Sequence, residues 1–117
     1  MSENQKQYDL EERTEKFAAE VGDFIDSLPS SIRNLEYSKQ VIRSSGSIAA
    51  NYIEANESFS KKDFIYRVKI CRKEAKESRL WLRLIKCKPE QEEIRLKLIQ
   101  EATELMKIFG AIITKSE

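Results

Sequence analysis

The chain has no histidine among its 117 residues. That removes the usual general base at neutral pH, the commonest metal ligand and every Ser–His or Cys–His nucleophile pair. It also removes the Glu-x-x-His motifs of a di-iron helical bundle and the Arg-plus-His arrangement of helical nucleases. Glycine (3) and proline (2) are scarce, which argues against a strand-and-turn architecture and against flexible linkers. No Gly-rich phosphate loop is present, and there is no internal repeat or low-complexity segment. No run approaches the ~18 apolar residues that cross a bilayer. The opening Met1–Gln7 lacks the apolar centre of a signal peptide. These absences set the expectation of a cytoplasmic protein that is not an enzyme, takes no cofactor or metal, contacts no membrane and has no small-molecule substrate.

The two cysteines fit that expectation. Cys71 and Cys87 lie sixteen positions apart on one predicted helix, about 24 Å at ~1.5 Å per residue, too far for a disulfide. Their spacing matches no zinc motif. Cys71 falls on an apolar stripe and reads as a small core residue, while Cys87 falls at the helix end.

What is present is helical periodicity. A 40% hydrophobic, 35% charged chain of this length suits one domain with one core, residues 1–117. The first helix is expected over about 9–28, with Leu10, Phe17, Val21, Phe24 and Leu28 on its apolar face. Glu11 and Glu12 sit at its positive end and Pro29 stops it; residues 1–7 are expected to fray. The second is expected over about 31–57, with Leu35, Ser38, Ile42, Ser45, Ala49 and Tyr52 inward. Its middle, Ser44 to Ala50, is rich in small residues, and Gly46 costs roughly 1 kcal/mol of helix propensity. Close approach of a neighbouring helix is the simplest compensation. Ser60 with Asp63 resembles a capping box opening the third helix, about 61–86. Pro89 with Glu90, Glu92 and Glu93 opens the fourth, about 89–114, whose stripe is Ile94, Leu98, Ala102, Leu105, Phe109 and Ile112. Short connections between long helices predict an all-α, antiparallel up-down-up-down four-helix bundle.

The third helix carries three stripes. Phe64, Val68, Cys71, Ala75, Ser78, Leu82 and Ile85 form the core seam. Ile70, Glu74, Glu77, Trp81 and Leu84 lie on a flank, as a subunit interface or, for Trp81, as an extension of the core. Glu74 and Glu77 also suit pairing with Arg or Lys from another helix. Lys69, Arg72, Lys76, Arg79, Arg83 and Lys86 form a basic ridge. Although the whole chain carries +1, residues 61–88 carry +8, residues 1–60 carry −5 and residues 89–117 carry −2. The ridge could track phosphates, or it could be a solvated face paired with the acidic first helix, Glu11, Glu12, Glu15, Glu20, Asp23 and Asp26.

The run Ser38 to Ala55 contains Gln40, Arg43, Ser47, Ile48, Asn51 and Glu54 in the order Gln-x-x-Arg-x-x-x-Ser-Ile-x-x-Asn-x-x-Glu. A second segment follows, Asp63 to Tyr66, Ile70-Cys71, Glu74 to Glu77 and Trp81 to Leu84. Together they resemble the bacterial four-helix-bundle family also called the 23S rRNA intervening-sequence proteins, over about Phe17 to Phe109. Ala55 departs from the Gly that many members place after the Glu. The resemblance implies a ring-like homo-oligomer, typically a homopentamer, and a link to RNA or other nucleic acid. The related nucleic-acid-binding members are strongly basic, and this chain is not. Gln40, Arg43, Ser47, Asn51 and Glu54 form a polar stripe, of which Ser47, Asn51 and Glu54 are suited to bonding a neighbouring chain or capping a helix end rather than to holding a ligand. Two functions follow: an oligomeric RNA binder using the ridge, or an adaptor ring for a protein partner with no nucleic-acid role.

Overall fold

The computed structural model of the chain describes residues 3–117, with side chains from residue 9 onward. Among them are four α-helices: α1 Glu3–Asp26, α2 Ile32–Asn56, α3 Lys61–Leu84 and α4 Glu92–Ser116. A 3-10 turn, Pro89–Gln91, precedes α4. The helices pack in chain order around a square, so that α1 neighbours α2 and α4 while α3 stands diagonally opposite. Contacts between their ends make every neighbouring pair antiparallel. Glu11 meets Asn56, Asn51 meets Arg67, Arg95 meets the Leu82 carbonyl, and Gln91, just before α4, meets the Ser27 carbonyl just after α1. The result is the expected up-down-up-down bundle, 44 × 26 × 19 Å in extent.

Each start has a local cause. Ser31 is extended at the head of α2 and its Oγ accepts from the Asn34 N–H at 3.0 Å. Ser60 does the same for the Asp63 N–H at 3.1 Å. Both satisfy an amide that the first turn leaves unpaired. α3 ends at Leu84 rather than Lys86 because Ile85 turns extended and buries its side chain. Arg95 donates to the carbonyls of Leu82 (3.1 Å) and Arg83 (3.4 Å), taking up acceptors freed at that end.

Two buried amides lock this end of the bundle. Asn34 donates to the carbonyls of Pro29 (3.0 Å) and Lys86 (2.7 Å) and accepts from the Lys86 N–H (3.0 Å). Gln91 donates to the Ser27 carbonyl (2.6 Å) and accepts from the Lys88 N–H (2.9 Å). The α1–α2 and α3–α4 turns are thereby held together by side chains that a helical stripe pattern does not flag.

The core runs through Phe17, Val21, Val41, Ile48, Val68, Leu82, Leu105 and Phe109, all at most 1% exposed. The stripes expected for α1 and α3 lie inward, but α2 is turned part-way from its expected face: of that stripe Ser38, Ser45 and Tyr52 are buried and Leu35, Ile42 and Ala49 are not. Its buried residues are Asn34, Ser38, Val41, Ser44, Ser45, Ile48, Tyr52 and Ala55, while Leu35 (56%) and Ile42 (52%) stand exposed. The sequence contains two apolar stripes on this helix, and contact with both α1 and α3 selects the one centred on Val41 and Ile48. Gly46 is likewise exposed, and a Cβ built there meets nothing within 4 Å. The close approach expected at Gly46 does not occur within the chain. On α4, Ile94 is half exposed and Ile113 is buried more deeply than Ile112. Helix α1 starts at Glu3 rather than near Asp9; of the residues expected to fray, Met1 and Ser2 lie outside the described ones.

Candidate nucleic-acid interface

From Lys69 to Arg83 the ridge occupies the solvent side of α3 next to α4, and Lys86 lies beyond the end of the helix. Lys69, Arg72, Lys76, Arg83 and Lys86 are exposed, and Arg79 is half-buried. Arg79 donates to Thr103 Oγ1 at 3.4 Å, and Lys69 lies 3.9 Å from the Glu117 carboxylate, the one ion pair of the ridge among the described residues. The acidic face of α1 cannot reach it, because α1 is diagonal to α3 across the core. From Lys69 to Arg83 the ridge runs about 21 Å at ~1.5 Å per residue. A row of cations of that length, with Lys69 alone in an ion pair among the described residues, is the arrangement that releases counterions when phosphates bind it.

The polar stripe of α2 and the flank stripe of α3, read separately in the sequence, meet in one seam. Arg43 Nη1 donates to Glu74 Oε2 at 3.1 Å. Asn51 donates to Ser47 Oγ at 3.0 Å and accepts from Arg67 Nη1 at 3.0 Å. Gln40 and Glu54 face solvent. Below this layer, Ser44 and Ser78 share a buried hydrogen bond at 2.7 Å, and the Cys71 thiol donates to the Ile48 carbonyl at 3.5 Å. Serines and a cysteine at these levels let α2 and α3 approach; the small residues serve α3 rather than the space around Gly46.

Glu74 is buried and Glu77 half-buried. Burial pushes Glu74 up, but hydrogen bonds with Glu77 and Ser47 and the Arg43 guanidinium outweigh it and hold the carboxyl below its ordinary value. Glu77 is raised by its hydrogen bond to Glu74, by burial and by the Glu74 charge. The pair therefore tends to share a proton, with Glu77 keeping it longer.

Trp81 stacks on Tyr37 with ring centroids 5.7 Å apart and an interplanar angle of 27°. It is half-buried in the α2–α3 seam, and its indole N–H is buried without a partner. Ile70 is half-buried and Leu84 exposed. The flank stripe thus divides into residues held by α2 (Glu74, Trp81) and residues still facing outward.

Both thiols are held toward the protonated form. Burial pushes Cys71 up to about 12; burial and the Glu92 carboxylate raise Cys87. Among the described residues, no group of three or more His, Cys, Asp or Glu side chains is arranged to hold a metal ion. Nor is any helix long and apolar enough to cross a membrane. An open groove of ≈ 890 Å³ lies between α1 and α4, walled by side chains that include Arg13, Asp23, Phe24, Ile94 and Glu101. Its walls mix both charges with exposed apolar groups.

The sequence pattern missed Asn34, Gln91 and Arg95, each of which bonds main chain at a helix end. Asn34 carried one signal, a polar residue three positions after a serine cap.

No curated protein matches the chain. A solved structure does, that of a protein of unknown function from the S23 ribosomal protein family of Bacteroides thetaiotaomicron VPI-5482. It is 30% identical, with a TM-score of 0.79 over 93% of this chain and 98% of that one. The family description that matches, over residues 6–111, is 23S rRNA-intervening sequence protein. A match over nearly the whole chain, on the same bundle that carries Arg43, Ser47, Asn51 and Glu54 along one helix, places this protein in the 23S rRNA-intervening sequence protein family.

Proposed function

We propose that this protein is a non-catalytic, self-assembling bundle of the cytoplasm that binds RNA through the basic ridge of α3. The observation that carries the reading is the isolation of the ridge. Five of its six cations are exposed, and one is ion-paired among the described residues. The diagonal placement of the two helices argues against the competing use of these charges, pairing with the acidic α1 face within the chain. The family's name, given by its association with an intervening sequence of ribosomal RNA, makes RNA the polyanion to test first. With a net charge of only +1, attraction arises locally at the ridge. Assembly into a ring, with five copies as the number the family resemblance implies, would repeat the ridge and multiply its effect.

The test is binding of the purified protein to structured RNA, with DNA alongside, across a salt series. The expected result is an affinity falling steeply with salt, at about 0.9 log units per log unit of salt for each phosphate contact. The triple substitution Arg72→Glu, Lys76→Glu, Arg83→Glu is expected to abolish binding while leaving helicity unchanged, since all three side chains are exposed. Undiminished binding by the triple variant would overturn the reading. Absence of binding by the native chain at low salt would turn the search to protein partners.

A further inference from the structure

Two apolar stripes remain outside the core. On α2, Leu35, Lys39, Ile42, Gly46, Ala49 and Ile53 follow steps of four and three, and Leu35, Ile42 and Ile53 are each about half exposed. On α3, Tyr66, Ile70, Lys73, Glu77, Leu80 and Leu84 follow the same steps over the same length. Tyr66 is 61%, Leu80 46% and Leu84 39% exposed. Each stripe runs about 27 Å with the alternation of a coiled-coil seam. The four-helix square has no helix left to cover either, and clustered apolar exposure of this kind marks an interface.

We propose that a second copy of this chain lays its α3 stripe on the α2 stripe in a head-to-tail contact. The proposal deepens the self-assembly part of the function proposed above and rests on it. Gly46 gives the first reason. It costs roughly 1 kcal/mol in a helix, no atom of its own chain uses the space it leaves, and it sits in the middle of the stripe. A glycine there lets a facing helix come close.

Charge gives the second reason. Antiparallel pairing of Leu35 with Leu84 and of Ile53 with Tyr66 sets exposed Glu57 opposite exposed Lys62 and brings Lys39 beside Glu77. One facing pair, Arg43 and Lys76, has like sign, and Arg43 is already bound to Glu74. Pairing α3 with its own copy would oppose two segments of +8 each, whereas residues 32–57, α2 with its C-cap Glu57, hold three basic and three acidic side chains. Positive self-repulsion therefore selects the α2 stripe as the partner of α3. A contact between unlike surfaces propagates, and closes into a ring when its rotation allows. The ridge, on the α4 side of α3, stays open to RNA.

The test uses light scattering on the full chain and on three variants at exposed positions, Ile42→Asp, Leu80→Asp and Gly46→Leu, with helicity checked by circular dichroism. Each variant is expected to lose assembly and remain helical. Gly46→Leu is the sharpest, because it raises helix propensity and meets nothing around its Cβ in its own chain. Mixing Ile42→Asp with Leu80→Asp is expected to give a one-to-one dimer, since one intact α2 stripe and one intact α3 stripe remain. A native assembly whose mass none of the three variants changes would overturn the docking and leave self-assembly standing. Loss of assembly in Leu80→Asp alone would overturn it in favour of α3 pairing with itself. A native chain that is monomeric at tens of micromolar would overturn the self-assembly reading and this inference with it.

Discussion

The bundle has two unlike seams. Between α2 and α3, buried serines meet at 2.7 Å, a thiol reaches a facing carbonyl, and above them run Arg43–Glu74, Arg67–Asn51 and the Tyr37–Trp81 stack. Between α1 and α4 the groove is open, and a bidentate ion pair, Arg13 with Glu101 at 2.7 and 2.8 Å, spans it. Both seams join antiparallel helices of similar length. They differ because α2 and α3 present Ser44, Ser78, Cys71 and Ala75 at the contact, which leaves room for the backbones to close. Small side chains set the spacing, and the closed spacing then dries and orders the polar groups at its edge. In the open seam the ion pair is only partly buried, its side chains 40% and 26% exposed, so solvent and salt screen it.

Four substitutions bear on that contrast, from the largest effect to the smallest. Ser78→Leu forces a large side chain into the closed seam and disturbs the Ser44 bond, at an expected cost of about 3 kcal/mol in chemical denaturation. A loss under 1 kcal/mol would mean that the seam is looser than its geometry implies. Arg43→Ala strands Glu74, whose side chain is 5% exposed against 56% for Arg43. We expect a loss of about 1–3 kcal/mol, more than for Glu74→Gln, because the exposed guanidinium can return to water. Equal losses would contradict the burial asymmetry. Arg13→Ala should cost at most ~1 kcal/mol and less in high salt. Amides of α1 should exchange with solvent ahead of those of α2 and α3, since local opening follows the weaker packing.

The fourth is a stabilising change. Glu77 holds its proton longer in the folded chain than in the unfolded one. Its share of stability is complete below the ordinary carboxylate range and is lost as pH rises through the raised folded value. Glu74 runs the other way: its share is present above the ordinary range and lost as pH falls through its lowered folded value. Glu77→Gln removes the like-charge pair, so it should gain about 0.2–0.5 kcal/mol at pH 7, with the gain vanishing in acid. Thermal melts across pH read this directly. A gain that persisted in acid would assign the effect to packing.

Much of the architecture was legible in the sequence. Spacing alone placed the apolar faces of α1 and α3, Ser60 marked the start of α3, and Pro89 marked the 3-10 turn that leads three residues later into α4, because caps and proline act through local backbone geometry. The motif on α2 led to the family. Half of the inner face of α2, Ser38, Ser45 and Tyr52, was placed correctly; the other half was misread because Leu35, Ile42 and Ala49 repeat as regularly as Val41, Ile48 and Ala55, and periodicity cannot rank two equal stripes. Trp81 could be placed on a flank, while its stacking on Tyr37 depends on which helix lies beside it. Asn34, Gln91 and Arg95 escaped notice because their partners are main-chain atoms far along the chain, and main-chain partners leave no trace in residue type.

The sequence by itself determined helix number, order and caps, the cationic ridge at every third and fourth position of α3, and the lack of any histidine-based chemistry. These follow from interactions within a few residues or from composition. Only the tertiary structure decided which α2 stripe is buried, that Arg43 meets Glu74, and that the acidic α1 and basic α3 stand too far apart to neutralise each other. Those outcomes depend on which helices become neighbours, and that is settled by burying one common core rather than by any local preference.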